Sequence, residues 1–169
     1  MKQFTSLLAC ITIVISGFSQ ETELDKRGGF KNIKLASPID SVVGAVFKKD
    51  FKEKGHHDAR LYFIENPDYQ TIGDVKVERI EAKAYKGLIY DILVVTNKDE
   101  RLMKGLEKAL GKPVYNVRDE SYNWTGKNVS LRFKSHAKNQ LQLHYTSSVV
   151  YKMMKEDKAK KIDDISEDF

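Results

Sequence analysis

Cysteine is nearly absent from this 169-residue chain. Cys10 is the only one, so no disulfide framework can form within it. Proline (3) and glycine (10) are both scarce, which excludes collagen-like and Pro/Gly-rich disordered classes. One tryptophan is present, and neither sign of charge dominates, with 29 Lys plus Arg against 24 Asp plus Glu. With 41% apolar residues, what is left describes one soluble globular domain.

The longest uncharged stretch lies at the start. Met1-Lys2 is basic, Phe4 to Phe18 carries no charge, and Leu7, Leu8, Ile11, Ile13, Val14 and Ile15 form an apolar block before Ser16-Gly17-Phe18-Ser19-Gln20. A basic start, an apolar centre of about 7–15 residues and a small-residue end predict a secretory signal peptide over residues 1–20. A retained membrane anchor would need about 20 apolar residues, and Thr5, Ser6, Thr12 and Ser16 interrupt this one. Cys10 sits mid-block, so it is an apolar residue of the signal and not a lipidation site. Processing takes the formal net charge from +5 to +4 and leaves no thiol. The expected location is periplasmic or secreted, with no stable membrane span after processing. About 150 residues suffice for a core without staples.

Residues 21–29 are polar, contain Gly28-Gly29 and read as a flexible leader. Residues 30–154 read as a single domain, and 155–169 as a charged, exposed tail. Phe30 to Leu35 alternates like a strand. Ser37-Pro38-Ile39-Asp40 reads as a helix start, and Ile39, Val42, Val43, Val46 and Phe47 fall on one helical stripe. Leu61 to Ile64 is a strand. Ile72 to Ala84 is a longer one whose parity changes near Glu78-Arg79, the signature of a bulge. After the turn Tyr85-Lys86-Gly87, the run Leu88 to Val95 is apolar on both faces except for Asp91, as in a central strand. Asn97 and Glu100 resemble a capping box. Leu102, Met103, Leu106, Ala109 and Leu110 make a buried stripe that Gly111 and Pro113 terminate. Three strands follow, over 115–124, 129–134 and 141–146, and a last helix opens near Ser148. The predicted class is α+β: an antiparallel sheet with helices packed on one face, divisible into two helix-plus-three-strand halves.

Few residues carry chemistry. His56-His57-Asp58 is the only local cluster of metal-ligand types. Its remaining ligands would have to come from His136 or His144, and no spacing forces them together, so the ligand rules favour a solvated loop. Alternation places His144 on the wet face of its strand. The mature chain has no cysteine nucleophile, no Gly-x-Ser-x-Gly and no phosphate-cradling glycine spacing. Asp91 is either a structural partner of Lys or Arg or part of a site. Basic and acidic residues interleave, which argues against nucleic acid as a partner. Trp124, with Tyr122 close by, is either the anchor of a binding surface beside a glycine turn or core packing beneath the neighbouring helix. No enzyme activity, cofactor or metal is expected.

The Phe18-Ser19-Gln20 end of the leader, Phe30 to Leu35, Leu106 to Pro113 and Trp124-Thr125-Gly126 together resemble the small uncharacterised exported domains of Gram-negative bacteria. Over Asn97 to Tyr145 the chain also resembles the helix-plus-sheet units of β-lactamase-inhibitor-like and outer-membrane-assembly lipoprotein domains, without their acylated cysteine. The resemblance implies binding and not catalysis, and carries over no functional residue. The sequence therefore leads to a non-catalytic exported domain that binds a protein or envelope surface through a sheet face or through the Tyr122/Trp124 hairpin. The alternative is a small-molecule or lipid carrier with a pocket under the sheet.

Overall fold

The computed structural model describes residues 21–54 and 57–166. The expected signal peptide lies outside them, as do His56 of the histidine cluster and the last three residues. Among the described residues eleven strands and three helices follow one another: α1 (Glu23–Arg27), β1 (Gly29–Phe30), β2 (Ile33–Lys34), β3 (Ala45–Glu53), β4 (His57–Ile64), β5 (Thr71–Ile72), β6 (Val75–Tyr85), β7 (Leu88–Asn97), α2 (Glu100–Leu110), β8 (Val114–Asn116), β9 (Ser121–Thr125), β10 (Val129–Ala137), β11 (Gln140–Ser147) and α3 (Ser148–Ser166). The main sheet is antiparallel throughout and runs β3-β4-β6-β7-β11-β10-β9-β8, with β5 paired to part of β6. The α+β class with an antiparallel sheet holds, and β7 lies at its centre between β6 and β11.

Parity divides the sheet into two faces. Ile80, Ala82, Ile92, Val94, Leu131, Phe133, Leu143 and Tyr145 point to the first, where they meet Leu24, Ile33, Ile39 and Leu102 in the main core. Ala59, Tyr85 and Tyr90 contribute to the second, where Val150 and Met154 of α3 cover them. The helices thus occupy both faces and not one, because α3 leaves β11 without a turn and folds back over β7. The parity change in β6 is a bulge at Val77–Arg79, as its sequence predicts.

Three expectations need correction. Ile39 to Phe47 is no helix: a single 3-10 turn (Ile39–Ser41) gives way to edge strand β3, and Val43, Val46 and Phe47 are exposed. Gly44 sits at φ +85°, where an added Cβ would lie 2.6 Å from the Glu65 carbonyl oxygen. Consecutive β-branched residues around a left-handed glycine favour extension over a helix. The two-halves reading falls with that helix.

Residues 21–29 are not a flexible leader. Thr22 caps α1, Leu24 is buried, and the Asp25 carboxylate accepts hydrogen bonds from the amides of Lys127 (2.7 Å), Asn128 (2.7 Å) and Val129 (3.0 Å). Burial pushes the Asp25 carboxyl upward in pKa, but the amides and the Thr22 hydroxyl outweigh it and hold it below the ordinary value. The charged tail is helical as far as Ser166 and exposed on most of its surface.

Candidate functional site

The Gly111 end of α2 decides where Trp124 goes. Gly111 closes the helix at φ +84°, donating its N–H to the Glu107 carbonyl, and its own carbonyl accepts the Trp124 indole N–H at 2.7 Å. Trp124 is 5% exposed and belongs to the main core. Of its two sequence readings, core packing under the helix is the one the geometry fits. It is not an anchor available to a partner.

Tyr122 shares its parity and face, two residues earlier on β9, and is exposed. The expected strand over 115–124 is two strands, β8 and β9, joined by a turn with Glu120 at φ 50°, and their register sets Tyr115 opposite Tyr122. The two rings lie 4.9 Å apart at a tilt of 45°. Tyr115 (48% exposed) and Tyr122 (36%) share one face of this margin, Val114 (74%), opposite Asn123, belongs to the other, and Val117 (78%) lies in the turn after β8. Of the two residues expected at a surface, Tyr122 is exposed, beside Tyr115, and Trp124 is not. The alternation rule passes over the two valines because they flank a turn, but an apolar pair between Pro113 and Arg118 with no helix to cover it was the available signal.

The two margins of the sheet differ. On β3 a bulge between Phe47 and Lys49 and the charged run Lys48, Lys49, Asp50, Lys52 and Glu53 interrupt the edge, devices that discourage added strands. On β8 the edge residues are Val114, Tyr115 and Asn116, with Lys112 and Arg118 at the two ends and neither in an ion pair among the described residues.

Asp91 lies on the second face, 2% exposed. Its Oδ2 is 2.7 Å from His144 Nε2 and 3.7 Å from Lys83 Nζ. His144 is partly exposed, as alternation predicts for the wet side of β11. Next to Asp91, the buried Tyr90 donates its hydroxyl to Glu53 (2.7 Å) and meets Tyr151 of α3 edge-on at 5.4 Å. His57 begins β4 and packs its ring against Tyr85, 5.6 Å away. His136 instead bonds Gln142 at 2.8 Å. The structure does not gather these histidines, and among the described residues no cluster of three or more metal-ligand side chains occurs. No described helix is long and apolar enough to cross a membrane. Comparison with family models, curated proteins and solved structures finds no match for the chain.

Proposed function

We propose that the protein is an exported, non-catalytic binding domain that captures an extended segment of a partner protein along the β8 edge. The observation that carries this reading is the exposure of Val114 and Tyr115 on β8, a strand whose outer side has no neighbour among the described residues, with Val117 in the turn that follows and Tyr122 opposite Tyr115 on β9. Strand addition supplies affinity through main-chain hydrogen bonds and specificity through alternate side chains. Export is supported by the signal-like composition of residues 1–20.

Charge selects the occupant. A two-fold pairing of β8 with a second copy, centred on Tyr115, would set Lys112 opposite Arg118 twice, and like charges facing each other oppose such pairing. An apolar β segment with acidic residues at its ends fits instead.

Panning a random peptide phage library on the protein recovered from cells tests this. Expected binders have alternating apolar residues between Asp or Glu, compete with one another and lose binding when Lys112 and Arg118 are reversed to Glu. Along an antiparallel edge, outward and inward N–H groups alternate, so one of Tyr115→Pro and Asn116→Pro removes an outward donor without disturbing β9. The variant that keeps the wild-type melting temperature should abolish binding. Failure to enrich any peptide, or binders indifferent to that variant and to the charge reversal, would overturn the proposal.

A further inference from the structure

On the opposite face from Tyr122, a cavity of about 500 Å³ opens between the start of α3 and strands β9 to β11. Its polar lining includes Lys54, Asn123, Arg132, His144, Thr146 and Tyr151, and no carboxylate side chain contributes to it. The two larger depressions differ, lined by Asp50, Asp58 and Asp157, and by Glu65 and Glu78. The acids nearby lie behind this lining, two of them against His144 and Arg132 themselves. Asp91 is bound by His144, Glu53 by the Tyr90 hydroxyl, and Asp119 by Ser121 at 2.8 Å, with Arg132 Nε 3.7 Å away. Lys54 has no ion pair among the described residues and rests its ammonium 4.9 Å from the Tyr151 ring centroid. Burial, with Asp91 and Glu53 adding to it, raises the Tyr151 hydroxyl above the ordinary phenol value, so it remains a proton donor. Asp91 fixes the imidazole of His144 from below, the arrangement that orients a functional histidine.

The geometry points to a binding site for a small oxyanion, a phosphate or carboxylate borne by a polar molecule, held by Lys54, Arg132 and His144. Arg132 suits it because guanidinium matches planar oxyanions with two parallel donors. The ligand could be free in solution or the headgroup of a lipid, and the two share this chemistry. The site is independent of the β8 edge and stands whether or not that edge captures a partner.

An amide NMR titration at constant ionic strength tests it, with inorganic phosphate and glycerol phosphate as soluble probes and vesicles of phosphatidylglycerol or phosphatidylcholine as lipid probes. The expected result is saturable shifts confined to β9–β11, the first turns of α3 and Lys54 just after β3. Arg132→Gln should weaken binding by about tenfold, the loss of one charge-assisted hydrogen bond. Lys54→Gln, at an exposed turn, gives a second reading should the first variant fold poorly, while Lys138→Gln on the β10–β11 turn should change nothing. Saturation by the soluble probes assigns a free ligand, and response to phosphatidylglycerol vesicles alone assigns a headgroup. Absence of saturation with every probe, or shifts indifferent to both variants, would overturn the assignment.

Discussion

Asp25 connects residues more than a hundred positions apart, since its carboxylate gathers three successive amides of the β9–β10 turn. The turn is built around it. An added Cβ at Gly126 would lie 2.4 Å from Asp25 Oδ2, so only glycine lets the carboxylate approach. Asp25→Ala leaves those amides without their acceptor and should cost about 3 kcal/mol, read as a lower urea midpoint at neutral pH. The pH dependence has a definite sign. The folded state lowers the Asp25 pKa, so its stabilisation is fully present above the unfolded carboxyl value of about 3.9 and is lost as pH falls through the folded one. The difference in unfolding free energy between wild type and Asp25→Ala should therefore shrink below about pH 4; a constant difference from neutral to strongly acid pH would contradict the role given to this carboxylate. Trp124→Phe keeps the ring in the core and removes the donor to Gly111. It should cost about 1 kcal/mol without altering peptide capture at β8, which separates its packing role from the surface role of Tyr122.

At the scale of elements, β3 shows which forces win where a local pattern admits two structures. Ile39, Val42, Val43, Val46 and Phe47 satisfy helical spacing, yet only Ile39 and Val42 are buried. Gly44 is the residue that decides, because its left-handed backbone lets the chain pass against the Glu65 carbonyl and enter the hairpin with β4. Gly44→Ala should destabilise by about 2 kcal/mol, measured by the thermal midpoint, since both the positive φ and the 2.6 Å approach oppose a side chain. In a helix the same substitution would stabilise, so the sign alone discriminates. The elements readable from sequence are those whose start, stop and buried stripe agree. α2 ends at Gly111 as expected, although its cap is Asp99, which accepts from the Arg101 amide, and Asn97 is consumed by β7. β6 declares its bulge by parity, and β10 and β11 alternate cleanly. The β8 margin was half legible, because Tyr122 was visible but its partner Tyr115 depends on register across a turn. Of the polar residues lining the proposed oxyanion cavity, only His144 was legible, as a polar position on the wet face of its strand. Their convergence requires the pairing of three strands and the return of α3, neither of which local spacing encodes.

Across the whole molecule, one sheet face is a conventional apolar core and the other is closed only where α3 crosses it, and this asymmetry makes a small cationic cavity possible. Val150 and Met154 are fully or almost fully buried against Tyr90 and Tyr85, with Tyr151 and Met153 partly buried beside them, while the second half of the helix is mostly exposed, charged side chains with Ile162 and Ile165 among them. Farther along, Asp157 accepts the Tyr85 hydroxyl at 2.8 Å and pairs with Lys86 at 2.7 Å. Burial and Asp157 push the Tyr85 hydroxyl up to about 12, and Lys86 and Tyr85 hold Asp157 below the ordinary carboxyl range. Two truncations separate these contributions. A chain ended after Met154 keeps both apolar anchors and loses only exposed helix and the Asp157 contacts, so its thermal midpoint should fall by a few degrees at most, about the effect of 1 kcal/mol or less. A chain ended after Ser147 bares Tyr90 and Tyr85 and forfeits the burial of Val150 and Met154, about 4 kcal/mol at the usual value per apolar side chain. That chain should bind a hydrophobic dye and, if the cavity between α3 and β9–β11 holds an oxyanion, show no saturable phosphate response, whereas the first truncation should retain it. Equal behaviour of the two would mean that α3 acts as a charged appendage and not as the wall of the site.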